Sequence, residues 1–347
     1  MNPLRVGLVG YGFGSRVFHV PLLQDLPEFS IAGVYSPSEA TRERARHELG
    51  VPAYDRLESL LGDDGIDLAV ISTPHDSHAS LALQALAAGK NVVVDKVMCL
   101  TLEEADAMIA AARAAGRILS VYQNRRWDGG FLTLRRLLAE GAIGEPLRLE
   151  ARWVRGGGLS KRAAWRLERS RGGGMWLDLG AHMVDQLLLL AGPVKRVFCD
   201  QVFSNPQLDV PTHTLCHLEF VSGARGLVET GAVTPFDRPR WVALGTEGGW
   251  EKHGLDPQED RLKQGLVGWP DEYPGPHGRL SRNTPDGIRF EDTPTVPGDW
   301  RDFYRNVAAA VREGAELAVK PEECREALRV LLAAEESARE GQAVCLA

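Results

Sequence analysis

The feature that most constrains this chain is a glycine-spaced turn set between its first apolar run and its first helical stretch. Arg5–Val9 is a short β-branched run. Gly10-Tyr11-Gly12-Phe13-Gly14-Ser15 follows directly, ahead of a predicted helix over Arg16–Gln24. In that position Gly10 permits a tight turn and Gly12 lets the backbone approach a pyrophosphate. The helix N-terminus adds free N–H groups and partial positive charge. The last glycine of the G-x-G-x-x-G pattern is replaced by Ser15, and Tyr11, Phe13 and Gly14 complete the candidate cofactor turn. Glycines also make plain turns, so the motif draws its weight from lying between a first strand and a first helix.

The segments that follow fit that placement. The β-branched runs Ser30–Val34, Leu68–Ser72, Val92–Val94 and Ile118–Tyr122 alternate with the helical stretches Ser38–Leu49, Ser77–Ala88 and Leu102–Ala115. Runs that are apolar throughout suit strands buried on both faces, and strand–helix alternation implies a parallel, doubly wound sheet. After residue 122 the rhythm changes. One helix is predicted over Gly130–Glu140, and extended segments over Leu147–Val154, Val194–Phe203, Thr212–Phe220, Arg225–Ala232 and Trp241–Leu244. Several of these alternate in polarity, as an antiparallel sheet with one open face would. Residues 254–298 read as loops with short strands, and Asp299–Val311 and Pro321–Ala338 as helices. The expected fold is therefore α/β: a Rossmann domain over 1–122, then an α+β substrate-binding and dimerisation domain over 123–347 with a large, mostly antiparallel open-faced sheet.

The bulk numbers narrow the function classes. A chain of 347 residues suits two domains. A formal net charge of −7 gives no basic footprint for nucleic acid or an anionic membrane. Cys99, Cys199, Cys216, Cys324 and Cys345 are scattered and include no C-x-x-C pair, which points to reduced thiols and away from a disulfide framework or structural zinc. No basic, then apolar leader and no long apolar span is evident, so a cytoplasmic location is expected.

Further candidates sit where strands end, because ligands of such sheets bind at the carboxyl ends of strands. The second run ends Val34-Tyr35-Ser36-Pro37-Ser38, with no carboxylate before Glu39 and with Arg42 one turn beyond Ser38. An NAD site carries an acid there for the ribose 2′-OH. Ser36 and Arg42 instead suit a 2′-phosphate, so NADP is favoured and NAD remains open; otherwise Arg42 decorates a solvated helix. Thr73, Pro74 and His75 follow Leu68–Ser72 and are candidate nucleotide contacts. Asp76 or Ser77 could equally cap the next helix, and His78 faces either the cofactor or the helix packing. Asp95 and Lys96 follow Val92–Val94, and a lysine at that edge reaches the nicotinamide region unless it merely solubilises a loop.

A second constellation is Gly172-Gly173-Gly174-Met175-Trp176-Leu177-Asp178-Leu179-Gly180-Ala181-His182-Met183-Val184-Asp185. On a helix, Asp178, His182 and Asp185 share one face. A lone histidine there is usually a packed core residue, but three polar groups on one stripe argue for function, with Asp185 the more structural. No metal site is expected, because further ligands are not evident. His213 and His217 share a strand face and read as sheet packing.

Together the glycine fingerprint, Thr73-Pro74 with His78, Gly89-Lys90, Asp95-Lys96 and the Asp178…His182 segment resemble the Gfo/Idh/MocA family of sugar and polyol oxidoreductases. Val93–Lys96, Ser120–Asp128 and Leu255–Glu259 look most like the branch that holds NADP-dependent scyllo-inositol dehydrogenases. The family's Glu-Lys-Pro reads Asp95-Lys96-Val97 here, so the acid and the lysine persist without the proline, and the shape of that loop is a question for the structure. The resemblance implies a catalytic Lys–Asp–His set, carried by Lys96, Asp178 and His182. It also implies Arg126 as a donor to substrate hydroxyls, unless that arginine pairs with an acid. Asn124, Arg125, Trp165 and Arg166 become cofactor contacts, and a small polyol or sugar the substrate. The open sheet face itself points to a homodimer or homotetramer. Two other readings share the fold: a non-catalytic NADP-binding regulatory protein and an NAD-dependent glycosidase.

Overall fold

The computed structural model describes residues 2–156, 164–232, 236–270 and 273–346, and element counts refer to these residues. They form two compact units, one of Met1–Asn124, Gln258–Gly268 and Asp299–Arg325, the other of Arg125–Pro257, Trp269–Gly298 and Glu326–Ala347. The expected break at 122/123 lies two residues from the observed one. The expectation of a single second segment is corrected: 258–268 and 299–325 pack with the first unit. Their helices fill the first unit's core with Trp300, Phe303, Tyr304 and Val307, residues whose partners a one-dimensional reading does not reveal.

The first unit is a parallel sheet of β1 (Leu4–Val9), β2 (Phe29–Tyr35), β3 (Ala53–Tyr54), β4 (Leu68–Ile71), β5 (Asn91–Val94) and β6 (Leu119–Val121). Helices α1 (Val20–Asp25), α2 (Glu39–Leu49), α3 (Leu57–Leu61), α4 (His78–Ala87) and α5 (Leu102–Ala115) link the strands. All of β4, Val92–Val94 of β5, and Val6, Leu8 and Val9 of β1 are fully buried. Each such valine, leucine or isoleucine contributes about 1.5–3 kcal/mol of burial, which is why these strands need no polar face. Capping fixes the helix ends: Thr101 and Glu104 form a reciprocal box at the start of α5, and Gly116 closes it in the left-handed region at φ 62°. The strand order β3-β2-β1-β4-β5-β6 reverses direction between β1 and β4. A crevice at the strands' carboxyl ends opens at that reversal.

The chain then runs through α6 (Gly129–Ala139), β7 (Pro146–Val154), α7 (Ala181–Ala191), β8 (Val194–Val202), β9 (His213–Phe220), β10 (Arg225–Gly231), β11 (Trp241–Gly245) and β12 (Gly248–Lys252). After α8 (Gln258–Lys263) come β13 (Gly278–Thr284), β14 (Gly287–Thr293), α9 (Arg301–Glu313), α10 (Pro321–Glu340) and β15 (Val344–Cys345). The second unit's sheet has the order β14-β13-β12-β11-β7-β10-β9-β8-β15. Only β7 and β10 pair in parallel. Alternation decides its two faces. Leu149, Ala151 and Trp153 of β7 stand level with Gly226, Val228 and Thr230 of β10, all on the buried side. The other side carries Glu150, Glu229, His213, Leu244, Phe198, Val202 and Phe290.

Two parts of this sheet lie beyond what composition shows. Within 254–298, read as loops with short strands, residues 278–293 form a β-hairpin of two seven-residue strands, turned at Thr284-Pro285-Asp286-Gly287 with Gly287 at φ 115°. Its strands lie at the sheet edge and are mostly polar, so composition hid them. The strand β12 was hidden by Gly248 and Gly249, yet it delivers the fully buried Trp250. Gly278 makes room for that indole, since a Cβ there would stand 2.3 Å from Trp250 Nε1.

Candidate functional site

Parallel register brings three strand exits together. Ser72 N–H donates to the Val9 carbonyl at 3.0 Å and Asp95 N–H to the Ile71 carbonyl at 2.8 Å, so Gly10, Ser72 and Asp95 leave the sheet side by side. Gly10 has φ 94°, and a Cβ on it would stand 2.8 Å from Ser72 O. Only glycine satisfies both conditions. Around a Cβ built on Gly12 there is nothing within 4 Å. Nothing in the fold therefore requires glycine at 12, and the absent side chain leaves open the space a pyrophosphate needs. Ser15–His19 is a π-helical turn leading into α1, where a continuous α-helix was expected. Phe13 is exposed, its ring edge-on to Phe18. Tyr11 is buried, and its hydroxyl donates to Glu48 Oε2 at 2.8 Å. Burial, then the Glu48 carboxylate, raises the Tyr11 phenol well above its ordinary value. The Tyr11 side chain is thus turned into the protein, and its main chain is what the turn presents.

At the end of β2, Arg42 is nearly buried. Its Nη1 donates to the Ser36 carbonyl at 2.8 Å and its Nη2 to the Glu39 carboxylate. This is no solvated helix residue. The guanidinium is anchored at the position where an NAD site would carry an acid. Glu39 is shared with Arg46, and those two arginines hold its carboxyl below the ordinary range. Ser36 is buried, its hydroxyl accepting from the Ser38 N–H at 3.3 Å.

Thr73 and Pro74 leave β4 beside the glycine turn, and a Cβ on Gly10 would meet the Thr73 side chain at 2.9 Å. His75 is buried, in edge contact with the His78 ring. His78 is corrected as a cofactor contact. It is fully buried, with Nδ1 2.8 Å from the Val97 carbonyl and Nε2 3.0 Å from the Thr73 carbonyl. Burial lowers its pKa against the pull of Asp95, and a neutral ring donates to one carbonyl at a time. His78 ties the exit of β4 to the loop after Lys96. Lys90 is likewise a strap, donating to the Asp63 carbonyl at 2.8 Å.

The Lys96–Val97 peptide bond is cis. Asp95 Oδ1 accepts the Lys96 N–H at 2.8 Å, and Oδ2 accepts from Ser72 Oγ at 3.3 Å. Oδ2 is also 3.5 Å from a Cβ built on Gly14, so the carboxylate borders the glycine turn. Burial would raise the Asp95 pKa, but His19 and the charge of Lys96 outweigh it and hold the carboxyl well below the usual range. Lys96 is half-buried and Asn124 is buried. Sequence reasoning missed His19, although a histidine inside Val17-Phe18-His19-Val20 is a polar interruption of an apolar run.

In the second unit, Asp178 sits in a π-helical turn, Trp176–Gly180, that leads into α7. The expected single helical stripe is therefore corrected. The wider i→i+5 turn breaks the regular spacing between Asp178 and Asp185, and the two meet different partners. Asp178 pairs with Arg166, Nη1 to Oδ2 at 2.6 Å, and the Arg166 guanidinium lies 4.8 Å from the Trp165 ring centroid. His182 is buried in the first turn of α7. Arg126 is corrected as a free substrate donor. Its Nε and Nη2 clasp Asp185 at 2.8 and 2.6 Å, both side chains being buried, the acid-pairing alternative of the sequence analysis. Arg125 stacks 4.3 Å from the Trp153 centroid and pairs with Asp128 at 3.4 Å, so the second unit's own groups hold a residue expected to face the cofactor. His213 pairs with Glu229 at 3.0 Å, a sheet contact.

Comparison with known proteins decides the family. Residues 4–123 match the oxidoreductase family model with an NAD-binding Rossmann fold, and residues 131–251 match the GFO/IDH/MocA C-terminal domain. The chain belongs to the Gfo/Idh/MocA family. Like other members it joins a six-stranded parallel Rossmann sheet to a mostly antiparallel one. It is 35% identical to the oxidoreductase YdgJ of Escherichia coli, over 99% of both chains. To the scyllo-inositol 2-dehydrogenase (NADP(+)) IolW of Bacillus subtilis it is 31% identical, covering 100% of this chain and 97% of that one. The solved structure of yvaA from Bacillus subtilis superposes with a TM-score of 0.91 at 30% identity, over 100% and 99% of the two chains. The residues of the glycine turn fit the dinucleotide of this family, since the one position with open space above it is the one a pyrophosphate approaches.

The two glycines separate fold from binding. Gly12→Ala is expected to keep the wild-type melting temperature and to weaken NADPH binding by about tenfold or more, because the added methyl enters only the cofactor's space. Gly10→Ala is expected to lower the melting temperature as well, its Cβ meeting backbone at a left-handed φ. Paired thermal melts and fluorescence titrations check both, and equal binding losses without any difference in melting temperature would contradict them.

Proposed function

We propose that this family member is an NADP-preferring dehydrogenase or reductase that acts on a CH–OH group, or the corresponding ketone, of an inositol, polyol or sugar. The observation that carries the reading is the exit of β5. There Asp95 packs against Ser72 and Gly14 and accepts the Lys96 N–H, so the lysine follows directly on the residue that borders the glycine turn. A catalytic lysine is useful there because it donates a hydrogen bond to the reacting oxygen and stabilises developing alkoxide charge. His182 takes the hydroxyl proton as general base, the role an imidazole side chain fills in proton transfer. Asp178, held by Arg166, orients the imidazole or the substrate. A bound nicotinamide supplies the hydride acceptor, or the donor in reverse. Full-length similarity to IolW, whose name specifies scyllo-inositol and NADP, supports the substrate class and the cofactor. Arg42, anchored at the end of β2, supports NADP further.

The test is absorbance at 340 nm with NADP⁺ or NAD⁺ against a panel of inositols, aldoses and polyols. Reduction of NADP⁺ is expected, with kcat reduced by about 10²–10⁴ in Lys96→Ala and in His182→Ala. Activity that survives both substitutions, or sugar release with no net reduction, would overturn the reading. Faster turnover with NAD⁺ would remove the role given to Ser36 and Arg42.

The open face of the second sheet supports self-association as a homodimer or homotetramer. Phe198, Val202, Leu244 and Phe290 are 45–57% exposed on it. Apolar groups grouped on one face mark interaction surfaces. Phe198→Arg is expected to shift the sedimenting species toward monomer, and a wild-type chain that sediments as a monomer would contradict the assembly.

A further inference from the structure

We propose that His19 is a positioning residue for cofactor binding: its Nε2–H holds the Asp95 carboxylate against the glycine turn, and Tyr304, donating to Nδ1, secures the tautomer that allows it. The argument starts from an orphan. His19 is fully buried in the π-helical turn that follows the glycines, and its Nε2 has no hydrogen-bond partner. Its other nitrogen, Nδ1, is 2.6 Å from the Tyr304 hydroxyl. Tyr304 is itself fully buried, and burial pushes its phenol well above the ordinary value, so it stays protonated. With the Asp95 carboxylate facing Nε2, the neutral ring carries its proton there, and the Tyr304 hydroxyl then donates to Nδ1. A buried N–H without an acceptor is costly and is retained where it serves a purpose.

The acceptor next to that proton is Asp95. Nε2 lies 3.6 Å from Asp95 Oδ2, longer than a hydrogen bond and short enough for direct electrostatic attraction. The same carboxylate holds the Lys96 N–H through Oδ1 and borders Gly14 and Ser72 through Oδ2. Its oxygens suit the hydroxyl donors of a cofactor's ribose and repel its phosphates. A small rotation of Asp95 when such hydroxyls bind closes the gap to His19, as site hydrogen bonds that are long in the empty protein commonly tighten on binding. The surroundings keep the imidazole from turning away. The Tyr122 ring packs 4.2 Å from it, fixed by its own hydroxyl on the Phe18 carbonyl at 2.8 Å, and Lys96 and His78 are the other titratable groups that act on Asp95. His19 thus acts on the cofactor, and on the main chain of Lys96, only through Asp95. The inference rests on the family's dinucleotide site and not on the proposed substrate.

The test is the dissociation constant of NADPH and of NADH, read by fluorescence titration, beside the melting temperature of the unliganded variants. Asparagine places its amide where Nδ1 stands, and glutamine places its amide where Nε2 stands. His19→Asn is expected to weaken binding at least tenfold, His19→Gln to stay within about threefold of wild type, and Tyr304→Phe to fall between them. In an Asp95→Asn background, His19→Asn is expected to add no further loss, since its route is already cut. Equal effects of asparagine and glutamine, or additive losses in the double variant, would overturn the proposal and leave His19 a packing residue. If His19 variants do not fold, Tyr304→Phe decides alone: wild-type affinity in that variant overturns it. A wild-type chain that binds neither dinucleotide would overturn it too, whatever the 340 nm assay shows about substrate.

Discussion

The interaction on which the rest of the first unit depends is the in-register parallel pairing of β1 with β4, and of β4 with β5. Because Val9 stands level with Ile71 and Ile71 with Val94, the residues that follow must emerge in a row. That row is Gly10, Ser72 and Asp95. Register thus determines which side chains can meet a dinucleotide before any side chain is chosen. It also determines what the first position must be, since Ser72 leaves no room for a Cβ at Gly10. The surrounding groups read as supports for this row. His78 straps the exit of β4 to Val97, Lys90 straps the loop before β5, and Tyr304 reaches from α9 to the ring beside Asp95. The return of α9 to the first unit is part of how that row is held.

The second unit solves a different problem. It buries several charges, which is tolerable only when each has a partner of good geometry. Arg126 and Asp185 meet in a two-point clasp, Arg125 lies on Trp153, and Arg240 lies between Trp153 and Trp241. Removing one member of the Arg126–Asp185 clasp would strand the other, so these residues constrain the fold more than the chemistry. Asp178 and Arg166 are more exposed than that clasp, 28% and 32% against 2% and 6%. The difference in exposure separates a pair that can meet a ligand from one that cannot.

Much of this was legible in the sequence. The glycine turn, the apolar strands and the change of rhythm near residue 122 follow from period and composition, and the parallel and antiparallel sheets stand where those patterns placed them. What was not legible has physical causes. The polar edge hairpin of β13 and β14 lacks the apolar signal by which strands are recognised, and Gly248 and Gly249 mask β12. A π-helical turn leaves no trace in a 3.6-residue period, so the stripe drawn through Asp178, His182 and Asp185 assumed a regular helix. Partner choice is the third blind spot. The sequence offers Arg126 and His78 as polar residues near a site, and only three dimensions show Asp185, Val97 and Thr73 already occupying them.

The central claim, that this chain moves hydrogen directly between a carbinol carbon and a nicotinamide, is tested most directly by isotope transfer. A polyol that turns over, deuterated at the carbinol carbon, would be incubated with NADP⁺ and the reduced cofactor examined by NMR. The account predicts one deuterium at nicotinamide C4 per turnover and none lost to water. Deuterium released into solvent, or product formed while the cofactor stays oxidised, would contradict it.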